Sequence, residues 1–241
     1  MYNYIENFVY GGIAGACGTL VSQPAFNCKT MIQNNEITSK ELYNKIKTNK
    51  IKSIKWLYTG WKASIIGASC EKTIVFGVYN MFIKYNDIKK TEWKKMMACG
   101  FLSGACASLS TTISEQIAID MQNNIKNYKL NHLYKGLCYT MIRESIGFAI
   151  YVPLFELLQY NYNKQNNKLQ TITNASITCT TAWIVVCPID RLKTLKQKNM
   201  SISIKDLIYG YRGFNYAMMR ALPFHITTLY VYNMLYKLQK N

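Results

Sequence analysis

Uncharged, largely apolar segments recur along the chain and are separated by polar, often basic stretches. Four of them cover residues 8–28, 96–114, 169–189 and 221–236. Each is close to the ~20 residues that an α-helix needs to cross a bilayer. The mean hydropathy of −0.07 is low for a bundle of continuous membrane helices, so hydropathy alone leaves a soluble α-helical protein open. Four such segments in one short chain favour membrane helices.

The segments belong to a unit that occurs three times. Residues 57–80, 133–156 and 210–233 align so that Gly60, Gly136 and Gly213 fall in register. The intervals are 76 residues (136 − 60) and 77 residues (213 − 136). Upstream of each glycine, a second apolar segment ends in an aligned glutamine: Gln33, Gln122 and Gln197. We therefore predict three repeats, covering residues 1–90, 91–165 and 166–241.

Each repeat reads as a helix, a polar connector with an aromatic-x-Gly break, and a second helix. Three such repeats predict six helices. Small residues recur on the first helix of a repeat at spacings that allow membrane helices to approach closely. They are Gly11, Gly12, Gly15 and Gly18 in the first repeat, and Gly100 and Gly104 in the second.

Positive charge dominates the polar stretches, and the formal net charge is +17. Basic blocks at residues 47–55, 84–95 and 126–135 lie between apolar segments, so we interpret them as solvated loops that also contact acidic lipid headgroups. The sequence contains no recognisable nucleic-acid-binding module, and we expect no nucleic acid polymer as a partner. No secretory leader or basic presequence precedes the first apolar segment, so any targeting signal is expected to be internal.

Residue patterns that are typical of catalytic or metal-binding sites are rare in this sequence. The eight cysteines form no CxxC pair, and most lie inside apolar segments, so we expect neither a metal site nor a cofactor. The two histidines, His132 and His225, accompany no Gly-rich phosphate loop, carboxylate pair or nucleophile triad. We therefore expect a protein that is not an enzyme. For His225 we favour a packing or lipid-facing role over a place in a cavity.

One segment resembles a family signature. Pro188-Ile189-Asp190-Arg191-Leu192-Lys193, followed by Gln197, is similar to the Pro-x-Asp/Glu-x-x-Lys/Arg motif of the mitochondrial carrier family. The aromatic-x-Gly breaks at 134–136 and 211–213 also resemble the sequence signature of this family. The resemblance implies an all-α membrane protein with six transmembrane helices in three tandem two-helix repeats, pseudo-threefold symmetry and short matrix-side helices. It also implies a solute carrier of the mitochondrial inner membrane that works as a monomer with bound cardiolipin.

The resemblance further implies that Pro24 and Pro188 kink their helices and that charged residues after them close a matrix-side gate. Each acidic position would pair with the basic position of the next repeat. The implied pairs are Glu115 with Lys193, Asp190 with Lys29, and Phe26 with Ala118. Both apolar replacements fall in one pair, which is less costly than leaving one buried charge alone. The gate is thus expected to keep two ion pairs, which Gln33, Gln122 and Gln197 would brace.

The opposite, cytoplasmic-side gate departs more from the family pattern. Its matching stretches begin at residues 79, 155 and 232, and only Glu156 keeps the acidic charge. Ile83, Gln159 and Tyr236 stand at the basic positions. We therefore expect polar and aromatic contacts to hold this gate closed.

Substrate-contact positions are implied 13 residues before Asn80, Glu156 and Asn233, and they are Gly67, Arg143 and Arg220. Two arginines in one cavity suit a carboxylate or phosphate, and Glu144 is placed to hold an amino group. An Arg-Glu pair on the fourth helix resembles family members that carry amino acids and related compounds, including S-adenosylmethionine. A structural role for the Arg143–Glu144 pair is the alternative.

Other features favour different functions. Short connectors and a sequence rich in Asn, Ile and Lys resemble a reduced carrier encoded by a parasite or a large DNA virus, which would act in the host mitochondrion. The viral kind is associated with deoxynucleotides, so a nucleotide carrier is the second hypothesis. A non-transporting carrier-like adaptor is the third.

Overall fold

The computed structural model describes residues 2–33, 57–58, 60–122, 130–134, 136–162, 167–197, 211 and 214–238. Six long helices and one short helix make up this part of the chain. They are α1 (Tyr2–Gln33), α2 (Trp61–Tyr85), α3 (Trp93–Gln122), α4 (Leu130–Leu133), α5 (Leu137–Tyr162), α6 (Lys168–Gln197) and α7 (Phe214–Leu238). The six predicted membrane helices are therefore confirmed. The short helix α4 lies in the connector between α3 and α5.

The six long helices form a closed ring. Each packs on its neighbour in the order α1, α2, α3, α5, α6, α7, and α7 returns to α1. The chain order and the ring order therefore agree, as short connections between antiparallel helices require. The second helices of the predicted repeats, α2, α5 and α7, alternate with the first ones around this ring. The repeat boundaries themselves stay a prediction.

Many polar residues are buried inside this ring beside apolar ones, and many large apolar residues are exposed outside it. Buried side chains include Asn7, Gln23, Lys72 and Asn174, whereas Ile5, Leu20, Phe101, Ile177, Val185 and Met234 are exposed. So many exposed large apolar side chains are better accommodated by lipid than by water, which supports a membrane location. The inward polar residues also lower helix hydropathy. In the described part of the chain, two segments, Trp93–Ile117 and Lys168–Asp190, are apolar enough to be recognised as spans by hydropathy.

Glycines let neighbouring helices touch through their backbones. A Cβ atom on Gly15 would lie 2.6 Å from the Ala68 carbonyl oxygen on α2, and one on Gly100 would lie 2.5 Å from the Phe148 carbonyl oxygen on α5. Real Cβ atoms do not approach backbone so closely. The small-residue pattern of α1 and α3 therefore marks helix interfaces, as predicted.

The helix boundaries follow from local chemistry. Gly60 and Gly136 precede α2 and α5 with φ angles of 77° and 82°, a left-handed conformation that glycine adopts without strain. Between α2 and α3, the Glu92 carboxylate accepts hydrogen bonds from the Lys95 side chain at 2.7 Å and the Lys89 backbone N–H at 3.1 Å. These bonds, the Lys95 contact foremost, lower the pKa of Glu92.

Prolines lie inside four of the long helices. Pro24 and Pro188 are within α1 and α6, where the sequence predicts kinks, and Pro153 and Pro223 are within α5 and α7. Proline removes one backbone donor and crowds the preceding turn, so an internal proline favours a bend. The last two were not anticipated.

Candidate functional site

A cluster of charged side chains joins three consecutive helices of the ring. Arg143 on α5 donates one hydrogen bond from Nη1 to Asp190 Oδ1 on α6 at 2.7 Å, and another from Nη2 to Glu115 Oε1 on α3 at 3.0 Å. The same Nη2 atom contacts the neighbouring Glu144 carboxylate. The Arg143 side chain is only 13% exposed. One guanidinium therefore holds three carboxylates together inside the bundle.

This cluster unites two sets of residues that the sequence assigns separate roles. Arg143 and Glu144 are predicted to bind substrate, whereas Glu115 and Asp190 are predicted to close the matrix-side gate. The predicted structural alternative for Arg143 and Glu144, a mutual ion pair, is also present. The sequence missed the link between the sets because it expected the gate carboxylates to pair with lysines. An arginine on the intervening helix α5 reaches both.

Several predicted gate residues lie beyond what the structure describes. The side chains of Lys29, Lys193 and Ala118, and those of the bracing glutamines Gln33, Gln122 and Gln197, are outside the described side chains, although their backbones belong to α1, α3 and α6. The lysine pairs and the glutamine braces therefore stay predictions.

Arg220 on α7 lies against α1 in an apolar setting. Its guanidinium carbon is 4.5 Å from the centroid of the Phe26 ring, within cation–π range. No carboxylate in the described part of the chain lies within ion-pair distance of Arg220. A predicted substrate residue thus contacts a predicted gate residue here as well. Among the described residues, the Phe26 ring contacts this guanidinium directly, whereas carboxylates such as Asp190 act on it only from a longer distance.

Gly67, the third predicted substrate position, lies at a helix interface. It is buried, and a Cβ atom at this position would be 2.7 Å from the Ser114 Cβ atom on α3. Glycine here permits close packing of α2 on α3. Glu115, the residue after Ser114, belongs to the Arg143 cluster, so this contact fixes the height of α3 beside the cluster.

The structure reveals a charged pair that the sequence interpretation overlooked. Lys72 on α2 is buried, with its side chain 1% exposed, and its Nζ atom is 2.5 Å from the Glu71 carboxylate. Aromatic rings from two other helices surround the ammonium: Phe148, Tyr151 and Phe224, with centroids 4.4, 5.9 and 5.1 Å from Nζ. We call these three rings the Lys72 cage, because they surround the Lys72 ammonium.

A signal for the cage was available in the sequence. Lys72, Phe148 and His225 each lie five residues after one of the predicted substrate positions, so the repeats place them at equivalent heights. Glu71 and Lys72 are also charged residues within a predicted span, which usually face a cavity. The same counting that selected Arg143 would have found Lys72.

His225 packs beside the cage. Its ring lies 4.7 Å from that of Tyr151 and 5.0 Å from that of Phe224, and Tyr151 Oη donates a 3.3 Å hydrogen bond to the His225 carbonyl oxygen. Its Nδ1 atom is buried and finds no hydrogen-bond partner among the described residues. His225 therefore has the packing contacts that the sequence favoured, but it also lies next to the charged interior.

Polar and aromatic contacts join α1, α2 and α7 near the other end of the bundle. Asn80 Nδ2 donates to Tyr232 Oη at 2.8 Å, and Tyr232 Oη donates to Asn7 Oδ1 at 3.4 Å. The Tyr232 ring stacks on Phe76 with centroids 3.9 Å apart. These residues belong to or adjoin the predicted cytoplasmic-side motifs. The contacts are of the kind predicted for that gate.

Comparison with known proteins finds similarity to mitochondrial carriers along most of the chain. The profile of the family described as mitochondrial carrier protein matches residues 1–87. A mitochondrial carnitine carrier of Saccharomyces cerevisiae is 24% identical over 98% of this chain and 88% of its own length. These matches support membership of the mitochondrial carrier family. A carrier-like protein of Acanthamoeba polyphaga mimivirus is 24% identical, with 90% of each chain covered. A mitochondrial glycine transporter of Saccharomyces cerevisiae is 23% identical over 91% of this chain and 86% of its own length.

The ring of six helices is consistent with the mitochondrial carrier fold. Proteins of this family transport small-molecule metabolites, and the similarity supports a multi-pass location in the mitochondrial inner membrane for this chain. In such a transporter, charged residues inside the ring are tolerated because they face a water-filled path rather than lipid. Among the described residues, the Arg143 cluster, Arg220 and Lys72 in its cage are such charged groups inside the ring.

Proposed function

We propose that this carrier exchanges a small zwitterionic metabolite by alternating access, an amino acid or amino-acid derivative such as S-adenosylmethionine. The observation that carries the proposal is the shared position of Arg143, between Glu144 and the two gate carboxylates Glu115 and Asp190. Arg220 supports it, because a cation that faces a ring can still accept an anion. Transport, not catalysis, is the proposed activity.

The proposed mechanism follows from competition for Arg143. A substrate carboxylate that binds this guanidinium replaces hydrogen bonds to Glu115 and Asp190, and each such charge-assisted bond contributes ~1.5–3 kcal/mol. Substrate binding therefore weakens the contacts between α3, α5 and α6 that close the matrix side. The amino group of the same substrate neutralises Glu144 as Arg143 turns away from it.

Closing of the opposite side would complete the cycle. The Asn80–Tyr232–Asn7 hydrogen bonds and the Tyr232–Phe76 stack supply its closing contacts. Because they include no ion pair between the named residues, this side is expected to open at lower cost than the matrix side. Binding at the midplane would then select which side is open, as in other carriers with repeated helices.

A nucleotide or deoxynucleotide is the second candidate substrate. The short chain and the similarity to a mimivirus carrier-like protein favour it. Against it stands the number of carboxylates beside Arg143, which would repel a polyphosphate. The names of the carnitine and glycine relatives favour a zwitterion for this chain also.

Counter-exchange in liposomes tests the proposal. Vesicles containing purified carrier would be loaded with amino acids, S-adenosylmethionine or nucleotides, and uptake of the labelled solute would be measured. We expect exchange of a zwitterion that Arg143→Ala and Arg220→Ala abolish, while Lys95→Ala at the exposed start of α3 has no effect. Undiminished exchange in both arginine variants would refute the site, and exchange of nucleotides alone would refute the substrate class.

A non-transporting adaptor is the third candidate, and a charge swap separates it from a carrier. If Asp190 and Lys29 form a gate pair, Asp190→Lys and Lys29→Asp should each abolish exchange, and the double swap should restore part of it. An adaptor would show no exchange in any of these forms. We also propose that the carrier acts as a monomer with bound cardiolipin, which its basic connectors would attract.

A further inference from the structure

The aromatic cage around Lys72 attracts positive charge but offers few hydrogen-bond acceptors, so it is a poor match for a lysine ammonium. Ring faces attract a cation but accept hydrogen bonds weakly, and the Lys72 ammonium carries three N–H donors. Among the described residues, Glu71 supplies its one carboxylate partner at 2.5 Å. A cation without N–H groups would gain the attraction of the rings and leave no donor unsatisfied. The cage is therefore better suited to an alkylated cation than to a primary ammonium.

From this geometry we infer that the cage binds a quaternary ammonium or sulfonium group on the transported zwitterion, and that Lys72 occupies this subsite when substrate is absent. The inference rests on the proposed function and narrows its substrate class. Phe148 and Tyr151 come from α5 and Phe224 from α7, so the rings enclose the cation from two helices opposite α2.

The position of the cage fits a single small molecule. Phe148 lies five residues after Arg143, and Phe224 lies four residues after Arg220. At the helical rise of 1.5 Å per residue, the cage is about 6–8 Å further along the helix axis than the two arginines. A zwitterion with its carboxylate on an arginine and its alkylated cation a few bonds away spans that height.

Lys72 is suited to be a displaceable occupant. Its ammonium sits at the end of a flexible four-carbon stem, so it can leave the rings without moving α2. Glu71 is its sequence neighbour and can stay paired with it after displacement. The carrier without substrate thereby keeps its interior charge compensated, and substrate exchanges one cation for another.

Ligand binding to the purified carrier tests the inference without requiring transport. The probes are 4-(trimethylammonio)butanoate and 5,5-dimethylhexanoate, which share a shape and a three-methylene spacer but differ in the positive charge. Affinity is measured from the rise in melting temperature with ligand concentration. We expect the wild-type protein to prefer the trimethylammonium probe by about tenfold, as a desolvated cation–π site would. Lys72→Met should raise the affinity for that probe further, because it removes the competing ammonium.

Ring variants provide the decisive comparison. Phe148→Leu and Phe224→Leu, on different helices, should each reduce the preference to about threefold or less. Tyr151→Phe keeps a ring face and should therefore retain the preference for the trimethylammonium probe. Equal binding of the two probes by the wild type, or an unchanged preference in both leucine variants that fold, would overturn the inference. Counter-exchange of unmethylated amino acids measured on the same protein would then still support the proposed function, whereas cage selectivity without any exchange would refute that function alone.

Discussion

Arg143 Nη1 donates a 2.7 Å hydrogen bond to Asp190 Oδ1, and this contact joins the predicted substrate site to the predicted matrix-side gate. The second amino group of the same guanidinium bonds Glu115 on another helix. An arginine fork can hold two carboxylates at once because its donors are fixed in one plane. The predicted substrate site and the predicted gate therefore share one cation, Arg143.

Replacing Arg143 by lysine should impair transport even though the charge is kept. A lysine ammonium is a point charge without the planar fork, so it cannot reproduce bonds to both Asp190 and Glu115. Loss of one charge-assisted bond corresponds to ~1.5–3 kcal/mol, or about 10- to 100-fold in exchange rate. Initial rates of counter-exchange measure this effect. Wild-type rates in Arg143→Lys would show that charge alone is sufficient.

Removing the Tyr232 hydroxyl should loosen the side of the carrier that Asn80 helps to close. Tyr232→Phe loses the bonds to Asn80 and Asn7 but keeps the ring stacked on Phe76. Leaving the buried Asn80 amide short of a partner costs ~1–3 kcal/mol, so the melting temperature should fall by several degrees. The control is Tyr160→Phe, at a half-exposed ring on α5. Equal melting temperatures for both variants would contradict this role.

A side chain at Gly104 should force α3 away from α5. A Cβ atom there would lie 2.7 Å from the Glu144 carbonyl carbon and 2.9 Å from the Ser145 Cα atom, both of them backbone atoms. Overpacking of this kind costs ~1–3 kcal/mol, and more where backbone must move. Gly104→Val should therefore lower both the melting temperature and exchange, since Glu144 moves with its backbone.

The matched control is Gly147→Ala on α5. Its nearest neighbour would be the Val186 side-chain methyl at 3.3 Å, which can shift by a few tenths of an ångström. We expect near wild-type stability from this variant in the same melting experiment. A Gly104→Val protein as stable as Gly147→Ala would mean that α3 and α5 tolerate separation.

Sequence periodicity predicted the helices because each one repeats the same pattern of small, apolar and aromatic residues. The family resemblance, rather than periodicity, pointed to Arg143, Glu144, Glu115 and Asp190 as candidate substrate and gate positions. Aligning the three repeats, however, shows only which positions are equivalent. It does not show how far a side chain reaches. The arginine side chain is long enough for Arg143 to reach the predicted gate carboxylates Asp190 and Glu115 on the neighbouring helices. That contact is visible only in the structure.

Two other outcomes have similar physical causes. Gly67 was selected by counting along the helix, but a residue without a side chain contributes backbone, and this backbone packs on Ser114. Lys72 was overlooked because an adjacent Glu-Lys pair looks like an ordinary surface pair in a sequence. Its burial depends on rings from α5 and α7, which no local pattern of α2 reveals.

The most direct test of the shared role of Arg143 is the Michaelis constant for exchange in Asp190→Asn and Glu115→Gln, using the solute found by the liposome screen. If substrate and gate carboxylates compete for Arg143, each neutral variant should lower KM several-fold and reduce the maximal rate, because Arg143 is freer for substrate while the gate closes less well. Lys95→Ala should change neither value. A KM that rises or stays constant in both variants would contradict the account.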